Sequence, residues 1–164
     1  ADERPEADGL LSTDPGTTLG VTVADCMPVY LFGAGVTGML HSGWKGTGIV
    51  SEALRLIRRE LSIDSSQITA VLGPSIRSCC YEVDGERAEL FSSMWGEEAV
   101  RRGPDDGTYY LDLLRANMKL LHTEGVEEIR VVDACTMCDE SFGSFRREGP
   151  ETFTHMLAMI GYLQ

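Results

Sequence analysis

Histidine is scarce in this chain, three in 164 residues, and cations are outnumbered, with 14 Lys and Arg against 26 Asp and Glu. The formal charge of -12 would repel phosphate backbones and anionic headgroups, which argues against nucleic acid and membrane surfaces as partners. No apolar run approaches the roughly eighteen residues of a membrane span. The first residues, rich in Asp, Glu and Pro, lack the charged-then-apolar order of a signal peptide. A soluble, cytoplasmic protein is the expectation. Cysteine is neither abundant nor even in number. Five thiols in a chain large enough not to need stapling favour reduced side chains over a disulfide framework. Also missing are an internal repeat, a glycine-rich dinucleotide fingerprint and an initiator methionine. The chain begins at Ala1, which leaves room for residues upstream.

What is present is 43% hydrophobic, enough for one ordinary core, so residues 1–164 read as a single domain. Residues 1–18 show no period and read as a surface arm leading into a strand. From there Leu19, Val21, Val23, Val29, Leu31, Val36 and Leu40 mark a β-rich segment broken by Gly33-Ala34-Gly35, a hairpin signal. Ile49, Ala53, Leu54, Ile57 and Leu61 recur at helical spacing, with Arg and Glu on the other face. Residues 68–72 read as a short buried strand stopped by Gly73-Pro74, and residues 86–95 as a second helix. A polar loop over 96–108 precedes the clearest helix, carried by Leu111, Leu114, Met118 and Leu121 and closed by Gly125. Residues 129–132 read as a strand, as does the apolar run 156–163. Strands that come both as hairpins and between helices predict an α+β fold, a mixed, largely antiparallel β core flanked by helices.

The segment richest in chemistry is Ala24-Asp25-Cys26-Met27-Pro28 followed by His41-Ser42-Gly43-Trp44-Lys45-Gly46. A two-residue turn at Gly33-Ala34 sets Cys26 opposite His41 across the ladder, with Cβ atoms roughly 4.5 to 5.5 Å apart on one face. A three-residue turn centred on Ala34 puts them on opposite faces. A thiolate and an imidazole on one face suit zinc, or copper under some conditions, and a catalytic zinc takes three protein ligands plus an open position. The pair therefore lacks a third ligand. The alternatives are structural, with Cys26 a small buried hydrophobe and His41 a hydrogen-bonded strand-end residue, or a cysteine hydrolase with the two as nucleophile and base.

Several further blocks complete a pattern: Gly73-Pro74-Ser75-Ile76, Tyr81-Glu82-Val83, Leu111-Asp112-Leu113 with Ala116-Asn117, Gly125-Val126, Cys135-Thr136, and Ser144-Phe145-Arg146-Arg147-Glu148-Gly149. In order and spacing, over nearly the whole chain, they resemble the YfiH-like laccase-domain family. The resemblance implies a metal-assisted enzyme of purine nucleosides, phosphorolysing adenosine, inosine and guanosine or deaminating adenosine. The family's older name is multicopper polyphenol oxidase. It implies a metal held by one Cys and two His, of which the Cys maps to Cys26 and the second His to His41. The first His belongs to a segment that would precede Ala1. Two features depart from the family: a hairpin shorter by two residues, and Thr154-His155 where an arginine is usual, which puts phosphorolysis at issue.

The remaining candidates each carry two readings. Asp25 neighbours Cys26, so on a regular strand it points away from the metal face and suits a structural hydrogen bond, unless a bulge reverses it. Trp44 stacks on a purine or simply packs. Lys45, after the strand end, meets phosphate as a catalytic cation or is a solvated lysine. Of the adjacent cations Arg146 and Arg147, one is expected to face the site, where a guanidinium fork matches phosphate. Tyr81 grips the nucleoside or packs. Cys135-Thr136-Met137-Cys138 has knuckle spacing but needs a second pair, and adjacent Cys79-Cys80 make a poor one. Cys135 is then a family position near the substrate, and Cys138 structural. A copper-dependent phenol oxidase is disfavoured because several coppers need many imidazoles and the chain has only His41, His122 and His155. A metal-free purine-binding module is the nonenzymatic alternative.

Overall fold

The structure is a computed structural model that describes residues 7–162. The first six residues of the expected arm and the last of the expected C-terminal strand lie outside the described residues. The elements in order are β1 (Gly9–Ser12), β2 (Leu19–Val23), β3 (Met27–Gly33), β4 (Val36–Ser42), α1 (Ile49–Leu61), β5 (Thr69–Leu72), β6 (Glu82–Val83), α2 (Gly85–Trp95), β7 (Val100–Arg102), β8 (Tyr109–Leu111), α3 (Leu113–Thr123), β9 (Glu128–Val131), α4 (Phe145–Glu148) and β10 (Met156–Ile160). A five-stranded sheet runs β1-β4-β3-β5-β9, joined by a β10-β2 ribbon and a β6-β8-β7 sheet. Only the β5–β9 pairing is parallel among these strands, so the α+β class expected from the sequence is the observed one.

The β3–β4 hairpin sets the frame, and its register differs from the expected one. The turn residues are Ala34 and Gly35, at φ 47° and 82°, the doubly left-handed pair of a type I′ turn, whose twist matches the flanking strands. Gly33 is needed one position earlier, at φ 145°, where a Cβ would collide with the Gln67 carbonyl. Pro28 therefore pairs with His41, and Met27 with Ser42. The shift is by an even count, so Cys26 and His41 keep a common face while no longer standing opposite one another.

Alternation along the hairpin builds two cores. Val29, Leu31 and Leu40 point into the main cluster, where Val50, Ala53, Leu54 and Ile57 of α1 and Leu113, Ala116 and Leu121 of α3 meet the sheet. Tyr30 and Met39 point the other way and meet Leu19 and Ala158 of the ribbon in a second, smaller cluster. Pro28 and His41 share that second face, at the end of the hairpin away from the turn. Two segments read as irregular are ordered. Residues 9–12 pair with β4 as an edge strand, and the 96–108 loop contains a 3-10 turn and β7.

Candidate active site

Beyond the second core, the sheet and the ribbon part to leave a cleft of about 740 Å³, into which Cys26, His41, Trp44, Tyr81 and Arg146 all face. His41 is fixed from two directions. Its backbone N–H donates to the Asp8 carbonyl at 2.7 Å, and its Nδ1 lies 3.2 Å from Asp8 Oδ1. A carboxylate only accepts, so Nδ1 carries the proton of this contact, and Nε2 is the ring nitrogen left to bind a metal. This carboxylate–imidazole arrangement is the one that orients metal-ligating histidines. Next along β4, the buried Ser42 hydroxyl donates to Asn117 Oδ1 at 2.9 Å, and Asn117 Nδ2 donates to the Leu113 carbonyl at 2.7 Å. The strand end is thereby anchored to α3.

Cys26 sits where the chain turns from β2 into β3. Gly43 packs closely against it, since a Cβ there would lie 3.0 Å from Cys26 Sγ. Burial first, then the nearby charges of Asp25 and Asp8, push the Cys26 thiol up to about 11. Asp25 is buried, with φ at 77°, a conformation Asp tolerates better than most residues. One carboxylate oxygen accepts from the Thr136 hydroxyl at 2.6 Å and the other from the Arg146 backbone N–H at 2.7 Å. Both oxygens accept hydrogen bonds, as the structural reading of the sequence expects, and the residue also lines the cleft. It ties the Cys26 turn to the segment carrying Arg146.

Aromatic and cationic groups line the rest. Burial pushes the Tyr81 phenol up to about 12, with the neighbouring Cys26 adding to it. The Arg146 guanidinium lies 5.1 Å from the Tyr81 ring centroid and donates to the Glu82 carbonyl at 2.9 Å. Arg87, which sequence reasoning missed, also faces the cleft, 4.7 Å from the Trp44 ring. Phe145 meets Phe153 edge to face at 5.0 Å, and Phe153 meets His155 at 4.5 Å. His155, the departure from the expected arginine, is thus part of the cleft wall. No local pattern marks Asp8, Arg87 or Phe153, because contacts between distant segments bring them here.

Three expected site residues lie elsewhere. Lys45 is exposed, its Nζ 5.2 Å from the Trp44 ring, and it is not among the cleft residues. The Arg147 guanidinium is engaged with the carbonyls of Thr136 at 2.7 Å and Met137 at 3.2 Å, with the Phe142 carbonyl, and with Glu148 at 2.9 Å. Of the two adjacent arginines, Arg146 faces the cleft, and Arg147 holds the loop beneath it. Cys135 belongs to a separate cluster. Its sulfur and those of Cys79, Cys80 and Cys138 all lie within 4.8 Å of one another, the only group of three or more potential metal ligands among the described residues. The expectation that Cys79 and Cys80 make a poor pair is corrected. Adjacent side chains oppose one another on a strand, but residues 78–80 form a turn, where successive side chains diverge less and both sulfurs converge.

The multi-copper polyphenol oxidoreductase laccase family matches residues 1–162. A purine nucleoside phosphorylase, YlmD of Geobacillus stearothermophilus, is 35% identical over 96% of this chain and 60% of its own length, so the chain spans well under two thirds of that relative. The crystal structure of YlmD from that organism superposes with a TM-score of 0.89 at 36% identity, covering 98% of this chain and 62% of that one. The structure of Bacillus licheniformis YfiH gives 0.85 at 34% identity, covering 94% and 61%. An adenosine deaminase, RL5, of an unknown prokaryotic organism is 35% identical over 87% of this chain and 57% of its own. With a match running through every strand and helix that builds the cleft, the chain belongs to the multi-copper polyphenol oxidoreductase laccase family, in which the YfiH and YlmD folds are its structural counterparts.

Proposed function

We propose that the cleft binds a purine nucleoside and that the protein is a metal-assisted purine nucleoside phosphorylase. One observation carries this reading. A half-buried thiol and a carboxylate-held imidazole share a cleft with an aromatic wall and two guanidinium groups. Cys26 and His41 supply two ligands of a metal, zinc in this reading and copper under some conditions. The donor set fits, since metal binding displaces the proton that burial holds on Cys26, and His41 offers Nε2. A bound metal would supply Lewis-acid polarisation of a substrate oxygen.

The residues of the chain do the rest. Trp44, Tyr81 and the Phe145–Phe153–His155 wall supply aromatic surface to a purine. Arg87 and Arg146 hold phosphate, whose oxygen bonds to C1′ of the ribose as the base departs with the glycosidic electron pair and takes up a proton. Lys45 draws phosphate toward the cleft mouth, while Arg147 and Cys135 position the loop that carries Thr136. Residues 1–164 act as one domain in the reducing cytoplasm, with nucleoside and phosphate as partners. A multicopper oxidase is less well supported, because only His41 and His155 of the three histidines reach the cleft.

The test is inosine turnover by the zinc-loaded chain. Hypoxanthine release should require phosphate and vanish in Cys26→Ala and His41→Ala, and Arg87→Ala should raise KM for phosphate about tenfold or more. Phosphate-independent ammonia release from adenosine would replace phosphorolysis by deamination. Nucleoside binding without metal or turnover would leave a binding module.

A further inference from the structure

The four cysteines away from the cleft touch neither substrate nor metal in that reading. We propose that Cys79, Cys80, Cys135 and Cys138 form an all-thiolate tetrahedral site for one structural zinc ion, which joins the loop after β5 to the loop after β9.

The geometry is that of a single-ion cage. Sulfurs about 2.3 Å from a central zinc stand about 3.8 Å from one another in a tetrahedron. Here Cys79 and Cys138 are 3.8 Å apart, Cys80 and Cys138 3.3 Å, and all four fall within 4.8 Å. An iron–sulfur cluster puts sulfide between its irons and spreads its cysteines wider than a single ion does. With no carboxylate in the group, a thiophilic ion is selected over magnesium or calcium. The two loops are already aligned. Ser75 bridges to Cys135 in parallel fashion, Thr136 N–H donates to the Ser75 carbonyl at 3.2 Å, and Arg77 N–H donates to Cys135 Sγ at 3.5 Å, the kind of outer contact that orients a ligand. Cys79 and Cys138 are exposed, which gives the ion a way in.

The placement gives the ion a structural task. Tyr81 of the cleft directly follows Cys80, and Thr136, between the knuckle cysteines, donates to Asp25 beside Cys26. Fixing both loops therefore fixes two walls of the cleft without the ion touching substrate.

The site stands apart from Cys26 and His41, and the Cys26→Ala/His41→Ala double variant isolates it. Reduced and reconstituted with zinc chloride under anaerobic conditions, then desalted, that variant should retain about one zinc per chain. Its Tm should exceed that of the chelated protein by roughly 5–10 °C. Cobalt chloride in place of zinc should give the strong thiolate-to-metal charge transfer and visible bands of a tetrahedral four-sulfur site, a readout that needs no further cysteine variant. Adding Cys80→Ser/Cys138→Ser should abolish retention. No retained metal, a cobalt spectrum without thiolate character, metal kept after those serine substitutions, or a Cys80–Cys138 disulfide in peptide maps of the freshly purified protein would each overturn the proposal. Failure of the nucleoside assay would leave these outcomes unchanged.

Discussion

Replacing Asp25 by Asn keeps the shape of a buried side chain and removes its charge. In the native protein its two oxygens accept from Thr136 Oγ1 at 2.6 Å and from Arg146 N–H at 2.7 Å. Asn also tolerates the φ of 77° found there. Its carbonyl can take the Arg146 N–H while its NH2 donates to a rotated Thr136 hydroxyl, so both partners stay satisfied but lose a charged acceptor. Hydrogen bonds to charged groups contribute about 1.5–3 kcal/mol and neutral ones about 0.5–1.5 kcal/mol. Two such exchanges should cost about 2–3 kcal/mol, a Tm drop of roughly 4–12 °C for a chain of this size. The same change removes the charge that, after burial, most raises the Cys26 thiol to about 11. Thermal unfolding together with the pH dependence of Cys26 alkylation reads both effects. Asp25→Asn should unfold earlier and alkylate at lower pH, and Asp25→Ala, which leaves both donors unpaired, should be less stable still. An unchanged Tm, or an alkylation profile that does not move, would refute the role given to this carboxylate.

Three other outcomes are expected. Asn117→Ala, by leaving the buried Ser42 hydroxyl without its acceptor, should destabilise by about 1–3 kcal/mol in urea unfolding, and a Ser42→Ala/Asn117→Ala double variant should show non-additivity. Arg147→Lys should not rescue Arg147→Ala, because an ammonium cannot reach the spread of carbonyls the guanidinium fork holds; equal Tm values for Arg147→Lys and the native chain would contradict this. Glu148 accepts backbone N–H groups of Ser144 at 2.9 Å and Thr154 at 2.6 Å, which hold its carboxyl down to about 2. Because the folded value lies below the unfolded one of about 4.3, its stabilising contribution is present above that pH and fades as pH falls toward 2. Acid titration of Tm should be flatter over that window in Glu148→Gln.

Much of the architecture was legible because it rests on local periodicity. The spacing of Ile49, Ala53, Leu54 and Ile57 specified α1, and the run ending at Gly73-Pro74 marked β5. The edge strand β1 was not legible, since its four residues gain their order from pairing with β4, about thirty positions away and without a pattern of their own. The hairpin register was missed by two. The sequence offers two glycines around Ala34, and only the approach of Gly33 to the Gln67 carbonyl selects the second of them for the turn.

For the site, the sequence alone determined the likeness to the family, while the common face of Cys26 and His41 was one of two readings it left open and was decided by the two-residue turn at Ala34-Gly35. Tertiary structure decided which cations face the cleft. Arg146 and Arg147 are chemically identical neighbours, and only the position of the 136–142 carbonyls draws one of them inward. It also brought in Asp8, Arg87 and Phe153 and turned an unpromising Cys79-Cys80 dipeptide into half of a four-sulfur cage. These are contacts between segments far apart in sequence, and their geometry is set by how the sheets and loops pack, which no local pattern of residue types encodes.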